Sequence, residues 1–421
     1  MQKKAQKNTS KMKKNWLISE PPDDLSCEIF KRYSIDRIIG TILYTRGIQD
    51  KDDIIGFLYP ELNNLHSPFL MKGVNEAVAR IRLALNRNER IAIFADSDLD
   101  GITSLTILYD LLSKCGSTPL IRYPKNKEGY GLTCDIISEF IESEVSLLIT
   151  VDSGIRDIEE IKYARSNGIE TIITDHHEPD INYPTAIIID PKMPDCSYPF
   201  KHLAGVGVAL KVAHALLFSY TASYGKEFIL IHASENRVSF YVIVNGIITD
   251  STTEDINSCS SFVLQRFSRE SLIICTESSH GIINEILLKN NLSINCTTIL
   301  NLSNSITGSS YTTEQEMFNN LPGKFQIQRT FYNYDQLFIK LFLELQMRSS
   351  KKSLERMQIY IALAAVGTIA DIMPLTGENR NIIKYGLEVL KNKKGHTGIQ
   401  ILLNNPEPKT KNIIWDIAPL L

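Results

Sequence analysis

The chain has 421 residues, 43% of them apolar and 22% charged, an ordinary globular composition with room for two or three domains. Its formal net charge of −3 excludes a uniformly basic coat for nucleic acid, although a local basic groove remains compatible with it. Seven scattered cysteines without a CxxC pair exclude a zinc ribbon and a disulfide framework, and no apolar run is long enough to span a bilayer. These features together predict free thiols in a reducing compartment, a cytoplasmic protein, and no membrane partner.

The opening MQKKAQKNTSKMKKNW holds six lysines and no acid, and no apolar segment follows it, so residues 1–19 read as a disordered basic tail and not as a signal peptide. Residues 20–88 read as amphipathic helices. IFKRYSIDRIIGTILYTRG has helical apolar spacing closed by Gly47, and NEAVARIRLALNRN is a second helix. From Arg90 short apolar runs alternate with helical segments. IAIFA (91–95), LIRY (120–123), SLLITV (146–151), TIIT (171–174) and AIIID (186–190) are the strands, with helices over 101–115, CDIISEFIESE and IEEIKYARSNG between them. Near-continuous apolar strands in this alternation predict an α/β fold, a parallel sheet covered by helices on both faces. LAGVGVALKVAHALL reads as a loop feeding a helix. Residues from about 220 to 358 change character, with strand-like RVSFYVIVNGIIT and SLIICT and an Asn-Gly hairpin signal, and read as an inserted α/β domain. Strongly patterned sequence resumes at about 359.

The acids Asp96, Asp152 and Asp175 each follow the last apolar residue of a predicted strand. Ligands of open parallel sheets bind outside the carboxyl ends of the strands, so these acids should meet along one edge. DSDLDG adds Asp98 and Asp100 at alternate positions before a helix whose N-terminus favours phosphate. Alone, that motif also reads as a solvated turn with an aspartate cap. A calcium loop is excluded because the twelfth position from Asp96 is Ile107. VDSG (151–154) brings Ser153 and Gly154 close enough to approach an anion, but strand–Asp–turn is a common pattern. TDHHE (174–178) is sharper, since histidine occurs only 8 times in 421 residues; the bland alternative is a surface pair with one ring satisfied by capping. Four to six carboxylates with one or two imidazoles suit two hard cations, Mn²⁺ or Mg²⁺, which clamp a phosphoryl centre, with Asp152 as the candidate bridge. An acid between apolar runs, such as Asp371, reads on its own as a helix cap.

These residues resemble the DHH phosphoesterase superfamily, and within it the RecJ-type single-stranded-DNA exonucleases. The resemblance is carried by YTRGIQDKDDIIGFLYP, IAIFADSDLDGITSLTIL, EGYGL, LLITVDSGI, IITDHHE, IIIDPKMPDCSYPFKHLAGVGVALK and GTIADIMPLTGENRNIIKYGLEVL, over roughly 20–219 and 359–395. It implies a parallel-sheet DHH domain covered by helices, with a helical N-terminal lead-in. It implies metal ligation by Asp98, Asp100, Asp152, His176 and Asp371, with Asp96 a ligand or its neighbour and His177 facing the scissile phosphate. Ser153, Gly154, Lys125, Lys127 and Arg380 are the candidates for substrate contact. The implied reaction is 5′-to-3′ hydrolysis of single-stranded DNA with Mn²⁺ or Mg²⁺, in recombination and repair.

The sequence departs from the family pattern in four places. Ala95 and Ser97 replace a glycine and an aromatic while all three acids are kept. PKNK stands where the family has Pro-x-Arg, leaving Lys125 and Lys127 to replace an arginine. About 140 residues are inserted at 220–358. The sequence, with residues 359–421 returning to the DHH core, stops at WDIAPLL, where the family continues into a second lobe that walls the DNA groove. A separate C-terminal lobe, or repair proteins docking through the insert, are therefore expected partners. The competing readings are a small-substrate DHH phosphodiesterase acting on oligonucleotides and an inactive remnant or partner-binding scaffold.

Overall fold

The computed structural model describes residues 35–59, 64–125, 129, 131–234, 236–256, 272–289, 291, 294, 296–320, 333–392 and 396–403. The basic tail 1–19, the start of the first expected helix, Lys127 and the WDIAPLL end lie outside the described residues. The chain divides into two compact units, Met1–Ile54 and Ile55–Leu421. In the first, α1 (Arg37–Thr45) is capped by Asp36, whose carboxylate accepts from the Ile38 amide. Helix α2 (Lys51–Leu58) spans the boundary between the two units, with Asp52 and Asp53 in its first turn, where they favour the helix dipole.

In the second unit α3 (Val74–Asn86) leads into a five-stranded parallel sheet. Its elements are β1 (Ile91–Ala95), α4 (Leu99–Lys114), β2 (Leu120–Arg122), α5 (Cys134–Glu142), β3 (Leu147–Val151), α6 (Ile158–Ser166), β4 (Glu170–Thr174) and β5 (Ile187–Ile189). Strand order is β2-β1-β3-β4-β5, with every pair parallel. All five residues of β1 and of β3 are buried, as a sheet covered on both faces requires. The order reverses between β1 and β3, which places the topological switch point between the strands that precede Asp96 and Asp152. The five expected strands are found to within one residue at either end. Helix α4 starts at Leu99, two residues before the sequence reading, because Asp98 caps it by accepting from the Gly101 amide.

After α7 (Gly205–Phe218) comes a second sheet, formed by β6 (Glu227–Ser234), β7 (Arg237–Val244), β8 (Ile247–Asp255), β9 (Leu272–Cys275) and β10 (Cys296–Thr298) in the order β10-β9-β6-β7-β8. The β7–β8 hairpin turns at Asn245-Gly246, both at positive φ, as the Asn-Gly signal required. Alternation along β6 sends Phe228 and Leu230 into one apolar cluster and Ile229, Ile231 and Ala233 into another. Helices α8 (Glu277–Lys289), α9 (Ile299–Thr307), α10 (Glu314–Asn320) and α11 (Tyr334–Arg348) cover it. Strands β6 and β10 had no counterpart in the sequence reading.

The chain then returns to the first core through α12 (Lys351–Ala370), α13 (Gly377–Lys391) and α14 (Thr397–Leu403). Helices α4, α7 and α12 pack on one another, and α12 packs along α13. A buried polar network ties α7 to α13. Lys211 Nζ donates to Glu378 Oε1 and to the His66 carbonyl, each at 2.7 Å, and the Tyr198 hydroxyl donates to Glu378 Oε2 at 2.5 Å. Asn379 fastens the loop before α13 by donating to the His202 and Pro374 carbonyls. These bonds fasten the start of α13, shortly after Asp371, to the α7 region.

Candidate metal centre

The strand-end acids line up through the ladder itself. The amide of Asp96 donates to the Val151 carbonyl, that of Asp152 to Thr174, and that of Asp175 to Ile189. Each acid thus sits one step beyond its strand, beside the end of the next. Asp152 has φ +56°, a left-handed conformation that costs an L-residue about 1–2 kcal/mol but is most tolerable for Asp or Asn. Strain of this kind persists where the surroundings over-determine it, typically at functional sites.

The centre forms around His176. Its Nε2 lies 3.1 Å from Asp152 Oδ1, 3.8 Å from Asp371 Oδ2 and 3.9 Å from Asp100 Oδ2. Asp371 is the C-cap of α12, where a negative charge opposes the helix dipole, so it is poorly explained as a cap. Three groups of ligand atoms lie within 4.8 Å of one another: Asp100, His176 and Asp371; Asp96, Asp98 and Asp152; and Asp152, His176 and His177. Asp152 belongs to two of these, as a bridging carboxylate would.

The electrostatics suit a cation at this cluster. Burial, and then the neighbouring Asp98 and Asp175, push Asp152 up to about 9. Burial, followed by Asp152, likewise holds Asp100 well above the usual carboxylate range, and burial raises Asp96 and Asp371. Asp152 Oδ1 and Asp371 Oδ2 are buried and have no hydrogen-bond partner. Leaving such atoms unpaired costs about 1–3 kcal/mol each, and more when charged. Carboxylate oxygens around one or two imidazoles are the donor set of Mn²⁺ or Mg²⁺, and cations there would satisfy these oxygens.

Two glycines let the walls close on these acids. The α7 N-terminus meets Asp100, whose carboxylate accepts from the Gly205 and Val206 amides at 2.7 and 2.8 Å. A Cβ on Gly205 would sit 2.5 Å from Asp152 Oδ1, and one on Gly367 of α12 would sit 2.3 Å from Thr103 Oγ1. The sequence reading noticed LAGVGVALK without giving Gly205 a role.

Asp175, grouped with the metal core in the sequence reading, has a different role. Its Oδ1 accepts from the His176 and His177 amides and meets His177 Nδ1 at 2.8 Å, while Oδ2 accepts from the Ile155 amide. With both oxygens occupied it orients the second histidine. The hydrogen bond that His177 donates to Asp175 outweighs burial and raises His177 to about 9. Ser153 is buried and its hydroxyl donates to the Val151 carbonyl, and Gly154 packs against Thr150 and Ile173, so both hold the turn together. Lys125 is exposed beyond β2. Arg380 donates to the Phe57 carbonyl and lies over the Phe57 ring, 3.3 Å from its centroid. One strand-end acid escaped the sequence reading. Asp190, after β5, is fully buried, and the strand-end rule that selected the others would have found it.

Residues 90–234 match the DHH family, N-terminal domain, and β1 to β5 with their strand-end acids lie inside that segment. The chain is RecJ-like in sequence. It is 40% identical over 207 residues to the single-stranded-DNA-specific exonuclease RecJ of Bacillus subtilis, covering 49% of this chain and 26% of the relative. It is 32% identical over 203 residues to the Thermus thermophilus protein of the same name, covering 48% and 28%. The structure of Thermus thermophilus RecJ in complex with Mn²⁺ has the same fold, with a TM-score of 0.50 at 20% identity, over 95% of this chain and 38% of that one. The chain therefore spans well under half the length of these relatives. Among the described residues, no helix is long and apolar enough to cross a membrane.

Proposed function

We propose that this chain is a metal-dependent exonuclease that hydrolyses phosphodiester bonds of single-stranded DNA from the 5′ end, in the cytoplasm, in DNA recombination and repair. The observation that carries the reading is His176 Nε2 facing three carboxylates, two of which have buried oxygens without partners. Asp100, His176 and Asp371 would hold one cation and Asp96, Asp98 and Asp152 the other, with Asp152 between them. Such cations polarise a phosphodiester and lower the pKa of an attacking water. The protein itself contributes geometry and charge. Asp175 fixes the ring of His177, whose second nitrogen is left to donate to a phosphate oxygen. The α7 amides steady Asp100, and the Lys211–Glu378 network holds the segment carrying Asp371 against α7. Residues 220–358 are read as an inserted α/β module that offers surface to a protein partner. Lys125, Lys127 and Arg380 remain proposed substrate contacts, and a separate C-terminal lobe remains a proposed partner.

The test is degradation of a 5′-labelled single strand by the full chain with Mn²⁺, beside Asp152→Ala. The reading requires release of labelled mononucleotide by the parent, loss in chelator and loss in the variant. Equal activity of the two chains would refute it. Clearance of dinucleotides without attack on the long strand would replace it with the small-substrate reading.

A further inference from the structure

If His176 gives Nε2 to a cation, its Nδ1 must carry the proton, and a buried N–H needs an acceptor. His176 Nδ1 is buried and has no partner. One strand away another buried atom is in the complementary condition. Asp190 follows β5, which pairs with β4 in the register Thr174↔Ile189, so Asp190 lies beside the start of the Asp175-His176 segment. Its Oδ1 accepts from the Lys192 amide at 2.7 Å, closing a turn, while Oδ2 is buried without a partner. The residue is fully buried and His176 is 6% exposed, so bulk water satisfies neither atom. One orphaned donor and one orphaned acceptor thus occur at adjacent strand ends, in a centre where the donor's ring is a candidate ligand.

We infer that Asp190 is the positioning residue of His176: its Oδ2 accepts the Nδ1 proton through one bridging water, and so commits Nε2 to the cation. Metal-ligating histidines are commonly held in this way, and loss of the holding group typically weakens metal affinity about 10–100-fold. The lone free oxygen of Asp190 has no other use in the turn, which needs only Oδ1. The inference rests on the two-cation reading above.

The experiment uses the full chain and Asp190→Ser, which retains an oxygen for the Lys192 amide and removes the second one. Two readouts are Mn²⁺ affinity by calorimetry and the His176 tautomer by ¹⁵N NMR in the metal-free protein. The parent is expected to carry its proton on Nδ1. The serine chain is expected to shift toward Nε2–H and to bind Mn²⁺ about 10–100-fold more weakly at an unchanged melting temperature. If the serine chain fails to fold, Asp190→Asn, with its oxygen kept on the Lys192 amide, is expected to move both readouts in the same direction. Parental tautomer and parental affinity in the folded variant would overturn the inference alone. Absence of Mn²⁺ binding by the parent would overturn the two-cation reading and the inference with it.

Discussion

The two sheets handle charge removed from water, half-buried on the second and buried on the first, in opposite ways. On the second sheet His232 of β6 meets Asp335 of α11 at 2.5 Å, the Tyr241 hydroxyl donates to the other Asp335 oxygen at 2.9 Å, and the imidazole stacks on Tyr334. Both carboxylate oxygens have partners, and the hydrogen bond from His232 holds Asp335 below the usual carboxylate range. At the edge of the first sheet, Asp152 and Asp371 each keep a buried oxygen with no partner, and burial drives their carboxyls upward. A satisfied polar cluster stabilises the fold around it. An unsatisfied one costs stability, and it persists when a ligand completes it.

That contrast can be broken most decisively at Asp152. Asp152→Ala is expected to cut nuclease activity by about 10³-fold or more, the scale on which members of one catalytic unit act. In chelator the same variant should melt no lower than the parent, because removing a buried carboxylate crowded by other acids outweighs the lost His176 contact and the left-handed backbone left to alanine. A lower metal-free melting temperature would show that Asp152 is structural. Lys211→Met is the converse case. It strands Glu378 without its cation in the core and should destabilise the chain by about 3–5 kcal/mol in denaturant titration. Unchanged stability would mean the buried pair is not what binds α13 to α7.

Gly205→Ala sharpens the comparison at the closest approach in the centre. Its methyl would displace Asp152 Oδ1, and a misplacement of about 1 Å commonly costs about 100-fold in rate. Activity within a few-fold of the parent would show that the wall yields. The smallest effect is the pH dependence in chelator, which should run in opposite directions for the two sheets. Asp152 has its folded pKa raised to about 9, so its destabilising influence is full above that pH and is relieved as pH falls through 9 towards the ordinary 3.8. The stability advantage of Asp152→Ala should shrink over that range. Asp335 has its folded pKa depressed, so its contribution is present above 3.8 and is lost as pH falls through the folded value. The stability gap between the parent and Asp335→Asn should close only there. Coincident pH profiles for the two gaps would erase the distinction.

Much of this was legible in the sequence because it depends on short-range rules. Apolar runs mark the five parallel strands, and the strand-end rule marks Asp96, Asp152 and Asp175. The remainder depends on long-range contacts. Asp371 reads as a helix cap on pattern alone and as a ligand only through the family resemblance, because its approach to His176, some 195 positions away in sequence, is made by α12. Asp175 reads as one more acid of the cluster, and its positioning role depends on contacts of its oxygens with His176, His177 and Ile155. Lys211 hides in an apolar helix, and Gly205 looks like an ordinary loop glycine until the nearby Asp152 carboxylate explains it. Strand β6 was passed over although its alternation is regular, because Glu227 and His232 interrupt the apolar pattern.

The most direct test is a Mn²⁺ titration of the full chain and of Asp152→Ala, followed by electron paramagnetic resonance. The account predicts two Mn²⁺ per parent chain with a spin-coupled spectrum, and loss of the coupling when the shared carboxylate is removed. Parental stoichiometry and coupling in the variant, or no Mn²⁺ bound by the parent, would contradict it.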